Sequence, residues 1–221
     1  MRNIQARAAQ ALNERADIRP LRAELNAILA EDPKAAPNIV EYLWDCAILE
    51  RDRAAIEPAL AAVPAEGLFA PGNFIRPREW YVGYAARMFG DAERARTAFT
   101  AARSKLGKLV QEQPDYAAAW SLLGRIDAAL GRREEAIREG RRACELLPLS
   151  KDAWFGPMHL RSLAKIYAWT GEKDLALATL EQLLTNQVSR IDYGDLKLDP
   201  DWDSLRGDPR FEKIVASLAP R

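Results

Sequence analysis

Residues 117–150 read AAAWSLLGRIDAALGRREEAIREGRRACELLPLS. Ala, Leu, Glu and Arg dominate, and all four are strong helix formers. Apolar residues recur at three and four, as in Trp120, Leu123, Ile126 and Leu130, with Asp127 as a polar interruption. Gly131-Arg132 breaks this helical period once, and a glycine there supports a left-handed helix C-cap. So short a connection forces its two helices to lie antiparallel. The spacing predicts a helical hairpin with helices over 116–130 and 133–146.

The same spacing surrounds Gly90 and Gly171. Five residues after each turn glycine stands Ala95, Ala136 or Ala176, and seven before stands Gly83, Gly124 or Ala164. Twelve after come Ala102, Ala143 and Leu183. Small residues at these places face each other across a hairpin and let its helices cross closely. Larger ones (Phe99, Trp120, Leu123, Leu160, Leu163, Tyr167) fill the space between hairpins. No hairpin buries its apolar face alone, so each must stack on the next.

These residues resemble the tetratricopeptide repeat, a helix-turn-helix unit with a W-x₂-L-G-x₂-Y…A-x₃-F…P pattern. Residues 117–150 match at Trp120, Leu123, Gly124, Ala136, Ala143 and Pro148, and depart at Asp127 and Gly140, where an aromatic is usual. Residues 76–109 match at Gly83, Ala95, Phe99 and Ala102. Residues 157–190 match at Leu160, Leu163, Ala164, Tyr167 and Ala176. The resemblance implies an all-α, right-handed α-solenoid of antiparallel helical hairpins.

Outward from these units the pattern weakens. Further helices are expected near 3–15, 20–31, 37–50, 53–63, 77–89, 92–112, 157–170, 173–186 and 209–218. The seven residues 110–116 are close to two helical turns, which extends the helix from 92 to about Gln113, and 151–156 read as a loop. Residues 37–64 look like a degenerate unit with Trp44, Ala47 and Leu60 in core positions, Arg51-Asp52 at the turn, and Pro58 set to kink the second helix. The whole chain, 1–221, is expected to be one solenoid: degenerate hairpins over 1–75, the three clearer repeats, and a cap over 191–221. Trp202, Leu205, Phe211 and Ile214 are suited to cover the last repeat. This tail also resembles the one closing the repeat region of bacterial signalling proteins: membrane-linked Ser/Thr kinases, nucleotide cyclases and winged-helix regulators. That likeness, mainly over 76–218, implies a sensory, scaffolding or dimerisation arm. No kinase or cyclase motif accompanies it.

Composition narrows the function. The 221 residues are 48% apolar and 29% charged, an ordinary globular balance. Lys plus Arg and Asp plus Glu number 32 each, so there is no basic excess of the kind a nucleic-acid binder carries. No apolar run approaches the ~18–20 residues of a membrane span. The N-terminus lacks the apolar core of a signal peptide, so the expected compartment is the cytoplasm, or an extracytoplasmic site if a membrane-attached parent carries the chain. His159 is the single histidine, and Cys46 and Cys144 lack CxxC partners, so they are expected to be small buried side chains. No metal, cofactor or catalytic residue is expected. Asp199, Asp201 and Asp203 have the odd spacing of a calcium loop, but Ser204 and Arg210 stand where Gly and Glu are needed. Capping and turn chemistry is expected there instead, with Asp208 as an N-cap. Arg132, Arg133, Arg138, Arg141 and Arg142 interleave with Glu134, Glu135 and Glu139 as a solvated helix face would.

The resemblance places a concave groove along the first helix of each hairpin. Its expected lining is Trp80, Tyr84 and Arg87, then Ser121 and Arg125, then Met158, Arg161, Lys165 and Trp169. Aromatics and four cations on one surface suit an extended peptide bearing a carboxylate. The expected function is a non-catalytic protein- or peptide-binding scaffold, its partner an acidic or C-terminal segment. A structural arm or homodimer without a ligand of its own is the alternative, and an enzyme the least supported. Neither nucleic-acid binding nor direct membrane insertion is expected.

Overall fold

Four turns share one backbone conformation and set the architecture. The computed structural model describes residues 2–70, 74–185 and 191–220. In it Gly90, Gly131 and Gly171 take φ of 78, 76 and 83°, and Arg51 takes 56°. The next residue in each case donates back to a carbonyl of the preceding helix: Asp52 to Ala47, Asp91 to Ala86, Arg132 to Asp127 and Glu172 to Tyr167, at 2.8–2.9 Å. These are Schellman closures, and glycine serves them because a Cβ disfavours the left-handed region. The turn at Arg51 shows that residues around 40–62 form the same hairpin as the other three, without the glycine.

The hairpins pair α3 (Val40–Leu49) with α4 (Arg53–Ala62), and α5 (Arg78–Met88) with α6 (Ala92–Glu112). They continue with α7 (Ala117–Ala129) and α8 (Arg133–Leu146), then α9 (Gly156–Trp169) and α10 (Lys173–Leu184). Before them stand α1 (Arg2–Arg15) and α2 (Arg19–Glu31). The result is an all-α solenoid of stacked antiparallel hairpins. Residue 186, the expected end of α10, and residues 187–190 of the third unit lie outside the described residues.

The crossings follow residue size. A Cβ at Gly124 would stand 2.9 Å from the Ala136 carbonyl oxygen and 3.0 Å from the Gly140 nitrogen, so α7 and α8 meet backbone to backbone. At Gly83 it would meet the Phe99 ring at 2.8 Å. Gly140 departs from the repeat pattern for a visible reason. Ile166 and Leu163 of the next hairpin fill its missing side chain, 2.6 and 2.9 Å from where a Cβ would sit. Asp127, the other departure, is fully buried and paired with Arg103 at 2.6 Å.

Two details differ from the sequence reading, while the helix carrying Pro58 runs over Arg53–Ala62, close to its expected extent. The helix expected from residue 37 starts at Val40, because Pro33–Asn38 form a 3-10 turn capped by Asp32, with Pro37 inside it. A two-stranded hairpin, β1 (Leu68–Ala70) and β2 (Phe74–Arg76), joins α4 to α5, with Phe69 opposite Ile75. Strands of three residues are too short to show an alternating pattern.

After α10 the chain forms α11 (Tyr193–Leu198), a 3-10 turn over Pro200–Leu205, and α12 (Pro209–Ser217) capped by Asp208. Trp202, Leu205 and Phe211 are fully buried and pack in one cluster with Leu177, Leu180 and Ile214. The tail then reaches back across the concave side. At Gly194 a Cβ would overlap the Leu12 carbonyl, so α11 lies directly on α1. Cys46 and Cys144 are free thiols, both pushed up to about 12 by burial.

Candidate functional site: the concave cavity

The first helices of the four hairpins, α3, α5, α7 and α9, face one cavity of about 480 Å³. The α1–α11 contact bounds it on the remaining side, through Leu12, Asn13 and Gly194. That volume is in the range of small-ligand sites, not of a groove that admits a folded domain. Seven of the nine expected groove residues line it: Trp80, Tyr84, Ser121, Arg125, Met158, Arg161 and Lys165. Arg87 and Trp169 lie instead in a neighbouring recess, the Arg87 guanidinium 4.3 Å above the Trp169 ring.

Three of the expected groove cations already have carboxylates. Arg125 bonds Asp201 at 2.6 Å, and Lys165 lies 2.8 Å from the same residue and also pairs with Asp199. Arg161 pairs with Asp195. Tyr84 donates its hydroxyl to Asp201 at 2.7 Å, and Arg51, at the first turn, holds Asp203 at 2.7 Å. One acidic segment, Asp195 to Asp203, therefore ties together all four hairpins. Asp199 also accepts from the Asp201 amide, the capping role read from the sequence.

Burial alone would raise Asp201, but Arg125 and Lys165 outweigh it and hold the carboxyl far below the usual range. Burial likewise opposes Asp195, which Arg161 and Lys165 keep low. Asp199 goes the other way, raised by burial and by the charge of Asp201. The Tyr84 phenol is raised by burial and by Asp201. Arg125 completes the site by stacking 4.8 Å from Trp80 and 4.9 Å from Trp169, a doubled cation–π contact.

Other lining groups have no such partners. Ser121 and His159 are each 7% exposed, and their side chains make no hydrogen bond among the described residues. Burial pushes His159 down to about 4, against the weak pull of Asp152, so the imidazole is neutral at pH 7. Asp45 and Glu41, one turn apart on α3, also line the cavity and have no hydrogen-bond or ion-pair partner among the described residues. Asp45 is open to the cavity solvent yet surrounded by protein, and burial pushes it up to about 6 against the pull of Arg76. The sequence contained a signal for both residues. Tyr84, Arg125 and Lys165 stand six residues before their turns, and Asp45 stands six before Arg51. Trp80, Ser121 and Arg161 stand ten before, and so does Glu41.

The convex basic cluster is mostly paired: Arg132 with Glu135 at 2.8 Å, Arg133 with Glu172, and Arg142 with Glu145 at 3.7 Å. Glu139 is the exception to a solvated face. It is 4% exposed beside Asp127, and burial together with that charge pushes it up to about 8. Among the described residues no group of three His, Cys, Asp or Glu is arranged to hold a metal, and no helix is long and apolar enough to cross a membrane.

No protein-family model matches this chain, and no curated protein does. Solved structures that resemble it include a crystal structure of nearly identical TPR-like repeats from a Podosopora anserina putative kinesin light chain, and a point variant of it. Each is 14% identical, with a TM-score of 0.41, covering 84% of this chain and 92% of that one.

Proposed function

We propose that the chain, read over 1–221 as one solenoid, is a non-catalytic binding protein that takes a short segment of a protein partner into its concave cavity. The observation carrying this reading is the cavity itself: four successive first helices converge on about 480 Å³, and Ser121 and His159 line it with side chains that make no hydrogen bond among the described residues. Buried polar groups are normally hydrogen-bonded, and a site built to receive polar atoms is where they are not. The expected acidic ligand meets a competitor already in place, since Asp195, Asp199 and Asp201 hold Arg161, Lys165 and Arg125. Charge reversal at those cations would unpair buried aspartates and test stability before it tested binding.

The test is to fill the cavity. Ser121→Trp, or Met158→Trp should the first fail to fold, is compared with wild type and with Arg138→Glu on the convex face in partner capture after crosslinking. Partners kept by Arg138→Glu and lost by the filled variants support the reading. Partners kept by all three proteins overturn it.

A second reading, the dimerisation arm, has one observation of its own. Phe69 and Ile75 are cross-strand neighbours on the β-hairpin and are 69% and 42% exposed. Sedimentation velocity across a concentration series checks it. A mass that doubles in wild type but not in Phe69→Ser would favour the arm.

A further inference from the structure

From the charges left over in the cavity, we infer that it selects a cationic group, the guanidinium or ammonium of an arginine- or lysine-bearing segment, seated against Asp45 and Glu41. The inference rests on the reading that the cavity is the ligand site, and it specifies which chemistry enters.

Four equivalent positions stand six residues before the turns: Asp45, Tyr84, Arg125 and Lys165. Asp201 covers the last three: it accepts from Tyr84, bonds Arg125 and lies 2.8 Å from Lys165. Asp45 is the member of this column that the tail leaves uncovered. On α7 and α9 the three cations are matched by three aspartates, so that half of the lining is neutral. The other half holds Arg76 against Glu41, Asp45 and Asp192, with His159 uncharged. The lining of the cavity thus carries an excess of two negative charges.

Those charges are placed to use a cation. Glu41 and Asp45 are four apart on one helix, where like charges repel by a few tenths of a kcal/mol. Enclosure makes each interaction stronger than on an open surface. A cation between them relieves the repulsion. Trp44, packed edge-on against Tyr81 at 5.1 Å, lines the same wall and receives the aliphatic stem. Ser121 and His159 offer donor and acceptor atoms to the amides flanking the charged residue. An anionic ligand would meet Arg125 and Lys165 already held by Asp201, and Arg76 outnumbered by Glu41, Asp45 and Asp192 on the same wall.

The experiment is isothermal titration of three probes against the full chain: acetyl-Gly-Arg-Gly-amide, acetyl-Gly-Glu-Gly-amide, and agmatine as a free cation. Asp45→Asn and Glu41→Gln are titrated beside wild type. Both sites are solvent-open, so the variants keep their helical circular dichroism. The arginine peptide is expected to bind and the glutamate peptide not. Asp45→Asn is expected to weaken the arginine peptide about tenfold, 1.4 kcal/mol. Agmatine binding as tightly as the peptide would assign the site to a free amine and overturn the peptide source. Preference for the glutamate peptide, unchanged affinity in Asp45→Asn, or no binding of either cation at millimolar concentration would overturn the inference. Loss of protein partners in the filled variants would survive that result, so the two failures are distinct.

Discussion

The hairpins α7/α8 and α3/α4 have the same turn and the same register, and opposite interiors. At the crossing the first has Gly124 against Ala136, and the second has Trp44 and Ile56 in the matching places. Small residues bring two backbones into contact and leave nothing for solvent. Large ones hold the helices further apart, and the indole becomes a wall of the concave cavity. The carboxyls of the two hairpins follow suit. Glu139 is buried beside Asp127 and is raised to about 8, whereas Asp45 faces the cavity and reaches about 6. Residue size at one repeated position thus sets how closely the two helices of a hairpin meet, while all four hairpins line the cavity.

Substitutions can break this contrast. Trp44→Ala should have the largest effect, a loss of about 3–5 kcal/mol typical of emptying a buried aromatic site, read by chemical denaturation. If the indole only lines the cavity and does not hold α3 in place, the loss will be under 1.5 kcal/mol. Gly124→Ala should cost roughly 2–3 kcal/mol, because the new Cβ meets a carbonyl oxygen and a backbone nitrogen that cannot move aside. A smaller cost than for Gly131→Ala would mean that α7 and α8 are not in backbone contact.

Glu139 gives a pH test. Its carboxyl is raised in the folded chain, so the folded state binds more protons than the unfolded one between the two titrations. Its contribution is therefore present in full below about pH 4.5 and is lost as pH rises through about 8. Glu139→Gln should flatten the part of the stability–pH curve between those two values. Parallel curves for the two proteins would place the proton elsewhere. The smallest effects belong to the turns. Gly131→Ala should cost ~1 kcal/mol through backbone conformation alone, since nothing lies within 4 Å of the added Cβ. Arg51→Gly relieves the same strain but loses the half-exposed Asp203 pair, so its melting temperature should move little.

The hairpins were legible because their signals are local: a period of three to four, a small residue on each side of the turn, a glycine at the turn. The groove column was legible for the same reason at Tyr84, Arg125 and Lys165. Carrying that register to a turn without glycine would have reached Glu41 and Asp45. The acidic tail was not legible, because Asp201 lies 117 residues from Tyr84 and 76 from Arg125. Nothing in the local pattern of DPDWD says which distant cations it will meet. Its capping role, set two residues away, was the part that could be read.

The bond between Arg51 and Asp203 spans 152 residues of chain. An open array of repeats frays from its ends, each unit stabilised only by its neighbours. Here the tail touches the described residues of all four hairpins, and α11 rests on α1, so elements from the two ends of the array are in contact. Loop-closure entropy must be spent before these distant contacts form, which slows folding relative to helical proteins whose contacts are all local. Once the ends have met, opening any one hairpin strains the closure on both sides of it. The chain is therefore expected to unfold as a single cooperative unit, although each of its parts was specified separately.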